Sequence, residues 1–167
     1  MLKKNSHIFS TEDARRIARK RLPRMVFDFI EGAAGREVGV SRNEAAFDNI
    51  MLQPRVMENV SQRSLTASIL DQSFNVPFGV APMGMCNLAC PNADKFLADM
   101  AKKFDFPICL SSAASSSIED MAKWAGHRAW FQLYFSSSEE ASMSMVDRAL
   151  KAGFETLVLT VDVPQVS

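Results

Sequence analysis

The sequence has few of the residues that build metal sites, disulfide frameworks or surfaces for polyanions. Its two histidines are His7 and His127, and its three cysteines form neither a CxxC pair nor a His/Cys cluster. We therefore expect no metal site. Nineteen basic and nineteen acidic residues cancel to a net charge of +0, so the overall charge gives no reason to expect nucleic acid as a partner.

The distribution of apolar and charged residues also predicts neither a secretory leader nor a membrane span. The first residues, MLKKNSHIFSTEDARR, have no apolar core before the charges begin, which predicts a cytoplasmic protein with reduced thiols. Residues 72–93 are uncharged, but Pro77, Pro82, Gly84 and Pro91 interrupt them. That run therefore predicts a strand, a loop and a helix start rather than a membrane span.

What the sequence does contain is a globular composition, 167 residues with 47% apolar content. Ser10 or Thr11, followed by Glu12 and Asp13, predicts a helix that runs to Pro23. The segment RMVFDFIEGAAG predicts a second short helix, and FDNIMLQPRVM predicts extended or irregular chain. We assign residues 1–70 to an N-terminal helical and extended segment.

From residue 71 to 167 the pattern alternates between strand and helix. Predicted strands are Val76–Ala81, Phe106–Leu110, Ala129–Phe135 and Thr156–Val161, and predicted helices are Asn92–Phe104, Ser117–Trp124 and Glu139–Ala152. Capping boxes at Ser116 with Glu119 and at Ser137 with Glu140, and Pro91 as a first helical residue, support the helix starts. Strands that are apolar throughout indicate a parallel α/β sheet covered on both faces.

Two α/β folds satisfy this pattern: a four-stranded doubly wound sheet, and the first half of a (β/α)8 barrel. Length alone favours the open sheet, because a barrel usually needs about 250 residues. In both folds ligands bind at the carboxyl ends of the strands.

Those strand ends carry small or hydrogen-bonding residues, which predicts a ligand site. They are Pro82, Met83 and Gly84 after the first strand, Ser111 and Ser112 after the second, Gln132 and Tyr134 near the end of the third, and Thr160 and Asp162 at the end of the fourth. His127 precedes the third strand and is expected on the opposite face, so it is badly placed to act as a base with Asp162.

The same residues resemble the FMN-dependent α-hydroxy-acid dehydrogenases and oxidases, the family of glycolate oxidase, L-lactate dehydrogenase and mandelate dehydrogenase. The resemblance runs from about residue 10 to the end. It rests on RLPRMVFDFIEGAAG, RNEAAFDNIMLQPRVM, VPFGVAPMGM, LSSAASSSIED, WFQLYF and AGFETLVLTVDVP, in that order.

The resemblance implies the N-terminal part of a (β/α)8 barrel, about four βα units, preceded by helices, with FMN as cofactor. It implies that Pro82, Met83 and Gly84 lie against the flavin through their backbone and that Ser111, Gln132 and Thr160 bond to its ring. It further implies that Tyr134 forms a hydrogen bond to the substrate and that Asp162 pairs with the catalytic histidine. Tyr134 and Asp162 would then be the catalytic residues in this part of the chain. Phe29 stands where the family has a tyrosine that binds the substrate carboxylate.

The implied reaction is oxidation of a small L-2-hydroxy acid of the lactate, mandelate or glycolate type to the 2-oxo acid. The family's flavin-facing lysine, catalytic histidine, substrate arginines and phosphate-binding segment would follow Ser167. We therefore expect the chain to be an N-terminal half that alone neither binds FMN tightly nor turns over substrate. A complete homologue is expected to be a homo-oligomer, cytoplasmic or peripheral to the inner face of the membrane; the electron acceptor is not encoded in this half.

Two other functions fit the residues less well. One is a different flavin or phosphate-binding barrel, related to isopentenyl-diphosphate isomerase or inosine-phosphate dehydrogenase. The other is a non-catalytic binding module, either flavodoxin-like or a degenerate half barrel. WFQLYF followed by LTVDVP favours the hydroxy-acid family over the other barrels, whereas size-exclusion behaviour and flavin titration would distinguish the binding module.

Overall fold

The structure is a computed structural model that describes residues 8–136 and 138–162. Contacts within the chain divide it into two compact units, residues 1–60 and residues 61–167. The boundary at residues 70 and 71 stays a prediction. None of the helices in the described ranges has the length and apolar character needed to cross a membrane.

The first unit contains three helices, α1 (Thr11–Arg21), α2 (Arg24–Glu31) and α3 (Val38–Asp48). Ser10 caps α1, because its hydroxyl accepts the backbone N–H of Asp13 at 3.1 Å. Pro23 then separates α1 from α2, so both predicted helices are confirmed. The helix α3 was not predicted, and the prediction that Phe47 and Asp48 are extended was wrong, because both belong to α3. Glycine and valine near the start of α3 give a weak helix signal.

The second unit begins with an antiparallel hairpin of β1 (Ala67–Ile69) and β2 (Gln72–Phe74). Leu70 and Asp71 connect the two strands with φ of 50° and 61°. Positive φ at both central residues is the geometry of a tight hairpin turn, which usually selects Asn or Gly. The hairpin was not predicted, because LD lacks that turn signature.

The rest of the unit is a parallel sheet whose strands follow chain order. The strands are β3 (Val80–Met83), β4 (Ile108–Ser111), β5 (Ala129–Leu133) and β6 (Leu157–Leu159), and the connecting helices are α4 (Ala93–Phe104), α5 (Ile118–Ala125) and α6 (Glu139–Ala152). The sheet order is β3-β4-β5-β6, all parallel. A doubly wound sheet reverses its strand order, whereas a (β/α)8 barrel adds each strand beside the last. The order therefore matches the predicted barrel units and not the open sheet.

The core lies between the central strands and the helices. Ile108 and Leu110 of β4, and Phe131 and Leu133 of β5, are buried against apolar residues of α4, α5 and α6 such as Met121. Every residue of β4 is buried, which is why its sequence shows no alternation. Leu157 and Leu159 of the edge strand β6 remain exposed.

The first strand of this sheet starts later than predicted. The prediction began at Val76, but β3 begins at Val80, whose N–H donates to the Pro107 carbonyl at 2.9 Å. The Asn75 N–H donates to the Asp105 carbonyl at 3.0 Å, but Pro77 has no N–H to donate, so the regular ladder of β3 starts only beyond it. Both strands also end later than predicted: Pro82 and Met83 belong to β3 itself, and Ser111 is the last residue of β4.

The helix caps also differ from the prediction. Ser117 caps α5 by accepting the Asp120 N–H at 3.0 Å, and Ser138 caps α6 by accepting the Ala141 N–H at 3.2 Å. The prediction of Ser116 was wrong by one residue, and Ser137 lies outside the described residues. Runs of serine offer several equivalent hydroxyls, so the pattern does not select one.

Pro91 is not the first residue of its helix. The helix α4 begins at Ala93, and Asn92 precedes it in the left-handed region with φ of 62°. The N–H of Ala93 donates both to the Cys90 carbonyl at 3.0 Å and to Oδ1 of Asn87 at 3.1 Å, so a loop side chain contributes to the cap.

Candidate functional site

The carboxyl ends of the four parallel strands lie along one edge of the sheet. The register pairs Met83 with Leu110, Ser111 with Gln132, and Gln132 with Val158. The last residues of the strands are therefore level with one another. This edge brings together the predicted residues that follow or end each strand.

A hydrogen-bonded row of three side chains crosses this edge. The Ser111 hydroxyl donates to Oε1 of Gln132 at 3.0 Å, and Nε2 of Gln132 donates to Oγ1 of Thr160 at 2.8 Å. Gln132 is 1% exposed and Ser111 is 5% exposed. Buried polar groups need such partners, so the three residues fix one another's orientation.

Ser112 extends the ladder past the end of β4, a contribution that the sequence analysis did not assign to it. Its N–H donates to the Gln132 carbonyl at 2.9 Å, and its hydroxyl accepts the N–H of Tyr134 at 3.2 Å. The Tyr134 side chain is exposed beside this edge. Serine immediately after a buried strand is the only signal of this role in the sequence, and it is a weak one.

The predicted segment Pro82, Met83 and Gly84 ends β3 at the same edge. Its exposed backbone runs into a loop that is fixed where the Met85 N–H donates to the Ala113 carbonyl at 3.0 Å. A Cβ at Gly84 would meet Ala113 at 3.4 Å. That distance is an ordinary van der Waals contact, so the β3 and β4 loops lie close together here but would still accept a Cβ at Gly84.

Two predicted residues are not part of the row. Asp162 lies two residues beyond Thr160 and is exposed. Phe29 lies in α2, in the first unit, with 66% of its surface exposed. His127 is in a short 3-10 turn, Gly126–Arg128, before β5, which confirms its place at the opposite end of the sheet.

The edge offers hydrogen bonds rather than metal or thiolate chemistry. No group of three His, Cys, Asp or Glu side chains within residues 8–136 and 138–162 could hold a metal ion. Cys109 is buried in β4, and burial raises the pKa of its thiol to about 12, so it is neutral and unreactive at physiological pH. The row can bind polar atoms at the edge of a flat ligand.

A parallel sheet built in chain order, with hydrogen-bonding side chains at its carboxyl edge, places the second unit in the β/α-barrel class. The family model described as FMN-dependent dehydrogenase matches residues 18–167. The chain belongs to that family.

Relatives with established names support the assignment. The chain is 40% identical over 159 residues to (S)-mandelate dehydrogenase of Pseudomonas putida, covering 95% of this chain and 40% of that protein. It is 36% identical over 148 residues to a peroxisomal (S)-2-hydroxy-acid oxidase of Oryza sativa subsp. indica, covering 89% of this chain and 40% of the oxidase. The chain therefore spans about two fifths of the length of these relatives.

Solved structures give the same result for the fold. The crystal structure of a soluble mutant of the membrane-associated (S)-mandelate dehydrogenase from Pseudomonas putida superposes with a TM-score of 0.89 at 40% identity, covering 95% of this chain and 45% of that one. A structure described as the monotopic membrane protein (S)-mandelate dehydrogenase gives a TM-score of 0.87 at 40% identity, over 94% of this chain and 42% of that one.

Proposed function

We propose that this chain forms the first βα units of an FMN-dependent oxidoreductase that oxidises an L-2-hydroxy acid to the 2-oxo acid. The observation that carries the proposal is the Ser111–Gln132–Thr160 row at the carboxyl edge of a sheet of this family. The names of the relatives support the substrate class, since they act on mandelate and other 2-hydroxy acids.

The row suits the ring of FMN. A glutamine amide has two N–H groups and a threonine hydroxyl has one O–H, while the row uses one amide N–H and the hydroxyl oxygen. Gln132 and Thr160 would therefore each keep a donor for the ring, with Ser111 orienting the amide and the backbone of Pro82, Met83 and Gly84 lying against the ring. FMN supplies the acceptor for two electrons.

The same edge does not suit the phosphate of FMN. The described residues that follow β3, β4, β5 and β6 include no lysine or arginine before the next helix or the end of the described chain. Phosphate binding normally uses such cations or a helix N-terminus, and the helices that begin at this edge, α4, α5 and α6, all carry Asp or Glu in their first turns, which repel a phosphate. We propose that this chain holds the ring, and that the phosphate is held by residues beyond these strand ends.

The remaining proposed roles concern the substrate. Tyr134 would donate its phenol O–H to the hydroxy acid beside the row. Asp162 would accept a hydrogen bond from a basic residue and stabilise the positive charge that this residue gains when it takes the substrate proton. Phe29 would leave the substrate carboxylate without the hydroxyl that the family tyrosine provides.

We also propose that the complete protein is cytoplasmic or peripheral to the inner face of the membrane. The monotopic relative supports this placement. Flotation of the complete protein with anionic vesicles would separate the two cases, since a protein without membrane affinity stays at the bottom of the gradient.

The test is a chimera in which this chain is followed by the part of Pseudomonas putida mandelate dehydrogenase that the match does not cover. FMN is titrated into the chimera and into the 167-residue chain, and flavin fluorescence is recorded. We expect the chimera to bind FMN. When a 2-hydroxy acid is added without oxygen, the absorbance of the bound flavin should fall, because the substrate reduces it. The 167-residue chain alone is expected to do neither.

Substitutions in the Ser111–Gln132–Thr160 row test whether these side chains are the ones that bind FMN. Gln132→Ala with Thr160→Val in the chimera should weaken FMN binding by one to two orders of magnitude if two hydrogen bonds of about 1 kcal/mol each are lost. Gln53→Ala, an exposed residue of the first unit, is the matched control and should bind like the parent. If the chimera folds but does not bind FMN, the proposal is wrong and a non-catalytic module is favoured.

A further inference from the structure

Tyr134 lies one residue beyond the end of the strand that delivers it to the site. The strand β5 ends at Leu133, whose carbonyl accepts the Thr160 N–H at 3.1 Å. Residues 134–136 are irregular, and 44% of the Tyr134 surface is exposed. An irregular segment that ends in an exposed side chain has many conformations open to it unless other groups restrain its backbone.

The first restraint on Tyr134 is the hydroxyl of Ser112. The Ser112 N–H donates to the Gln132 carbonyl at 2.9 Å, and a regular parallel ladder would next pair the Tyr134 N–H with the Ser112 carbonyl. The Tyr134 N–H donates instead to Oγ of Ser112 at 3.2 Å. The β4 backbone turns at this point, since the Ala114 N–H donates back to the Ser111 carbonyl at 3.0 Å. The serine side chain therefore continues the ladder where its backbone leaves it.

The second restraint is the hydroxyl of Ser142 on α6. Its Oγ accepts the Ser136 N–H at 3.0 Å and donates to the Ser138 carbonyl at 3.1 Å. Ser142 is 4% exposed, and a buried hydroxyl needs such partners. The chain two residues after Tyr134 is thus tied to the first turn of a helix.

We infer that Ser112 and Ser142 are positioning residues that hold Tyr134 in place, one through the N–H of Tyr134 and the other through the N–H of Ser136. The inference deepens the proposed function and rests on it in one respect, that Tyr134 would donate its phenol O–H to the hydroxy acid. Each serine acts through the tyrosine. Because a side chain moves with its backbone, the two bonds fix the place of the phenol relative to the Ser111–Gln132–Thr160 row.

The two bonds are tested in the 167-residue chain by hydrogen exchange at the backbone amides. Ser112→Ala should speed exchange at Tyr134 several-fold, and Ser142→Ala should do the same at Ser136. Ser112→Thr keeps the hydroxyl and should restore the parent's exchange at Tyr134. Unchanged exchange at Tyr134 in Ser112→Ala would overturn the inference.

Controls separate these bonds from a general loss of stability. Ser116→Ala changes a half-buried serine of the same run as Ser112, and Ser144→Ala changes an exposed serine of α6. Both should exchange like the parent at residues 134 and 136. The Phe131 amide, which donates to the Thr156 carbonyl at 2.9 Å in the core, should keep its exchange rate in Ser112→Ala. Equal acceleration at Phe131 and Tyr134 would indicate general unfolding and would overturn the inference.

The action through Tyr134 is tested by kinetics of the chimera with mandelate. Ser112→Ala should lower kcat/KM several-fold and Tyr134→Phe should lower it further, while FMN affinity stays at the parent's value because the row is intact. In the double variant, Ser112→Ala should lower kcat/KM of Tyr134→Phe by no more than about twofold, since the hydroxyl being positioned is already gone. If the two factors multiply instead, Ser112 acts independently of the phenol and the inference is wrong.

Failure of the proposed function would give a different result. A parent chimera that binds no FMN or oxidises no 2-hydroxy acid would count against the proposed function, whereas exchange at residues 134 and 136 would still show whether the serines hold the segment. If Ser142→Ala does not fold, Ser112→Ala and its threonine rescue decide the inference alone.

Discussion

Gln132 and Thr160 are joined across neighbouring strands by a 2.8 Å hydrogen bond from the amide Nε2 to the hydroxyl Oγ1. The amide oxygen is held at the same time by Ser111, so Gln132 cannot rotate without breaking both contacts. One buried amide therefore sets the geometry of three strand ends.

Replacing Gln132 by alanine should destabilise the second unit. The change leaves the Ser111 hydroxyl and Oγ1 of Thr160 without their partner and opens a cavity at a fully buried position. We expect a loss of about 1 to 3 kcal/mol in the free energy of unfolding, measured by urea denaturation. Gln53→Ala should unfold at the parent's midpoint, and equal losses in both variants would contradict the assignment.

Much of this site could be predicted from the sequence, because a parallel strand delivers its last residues to a known edge. Ser111, Gln132 and Thr160 were placed there because each lies at or near the end of a predicted strand. The exact strand limits were not predictable. The start of β3, for example, is fixed by the hydrogen bond from the Val80 N–H to the Pro107 carbonyl, and these two residues are far apart in the sequence. The burial of Asp94 gave no sequence signal, since a single acid in a helix's first turn usually faces water.

Arg128 should stabilise the second unit more than other cations do. It donates from Nη1 to the Ser73 carbonyl at 2.8 Å, pairs with Asp105, and lies 4.8 Å from the centre of the Phe74 ring. Arg128→Met removes the hydrogen bond to the hairpin and leaves the half-buried Asp105 carboxylate without this ion-pair partner. We expect a loss of about 1.5 to 3 kcal/mol, since hydrogen bonds to charged groups are the stronger kind.

Three further variants test that explanation. Asp105 has a φ of 61°, a conformation that asparagine tolerates, so Asp105→Asn removes the charge without straining the backbone. The double variant should lose less than the sum of the single losses. Arg148→Met, which breaks the exposed pair with Glu119, should cost clearly less; an equal cost would mean that burial of Arg128 does not matter.

Gly79→Ala should displace the start of β3. A Cβ at this position would lie 2.5 Å from the Pro107 carbonyl oxygen, which already accepts the Val80 N–H. Backbone cannot move away as a flexible side chain can, so we expect a loss of about 1 to 3 kcal/mol by thermal or urea unfolding. Gly39→Ala in α3, where nothing lies within 4 Å, should be neutral or stabilising and serves as the control.

Stability should fall at alkaline pH because of Cys109. Burial raises the pKa of its thiol from 9.0 to about 12, so the folded protein keeps a proton that the unfolded chain loses. This contribution is present below pH 9 and is lost as the pH rises toward 12. Cys109→Ala should flatten the alkaline limb of the unfolding free energy against pH, although Cys86 still contributes a part; an unchanged slope would show that Cys109 is not the source.

Phe29→Tyr should improve substrate binding in the chimera if Phe29 stands at the substrate carboxylate. A hydroxyl bonded to a charged acceptor contributes about 1.5 to 3 kcal/mol, which corresponds to a KM lower by roughly one to two orders of magnitude. KM and kcat for mandelate and lactate are measured separately. Because the bond forms to the carboxylate in both ground and transition states, KM should change more than kcat.

Phe27→Tyr is the matched control for this change. Phe27 lies two residues earlier in α2, and successive positions two apart point to different sides of a helix. A hydroxyl at residue 27 should leave KM unchanged, whereas one at residue 29 should lower it. If both variants behave like the parent while the chimera still oxidises mandelate, Phe29 does not contact the carboxylate, and the substrate preference must be set by other residues.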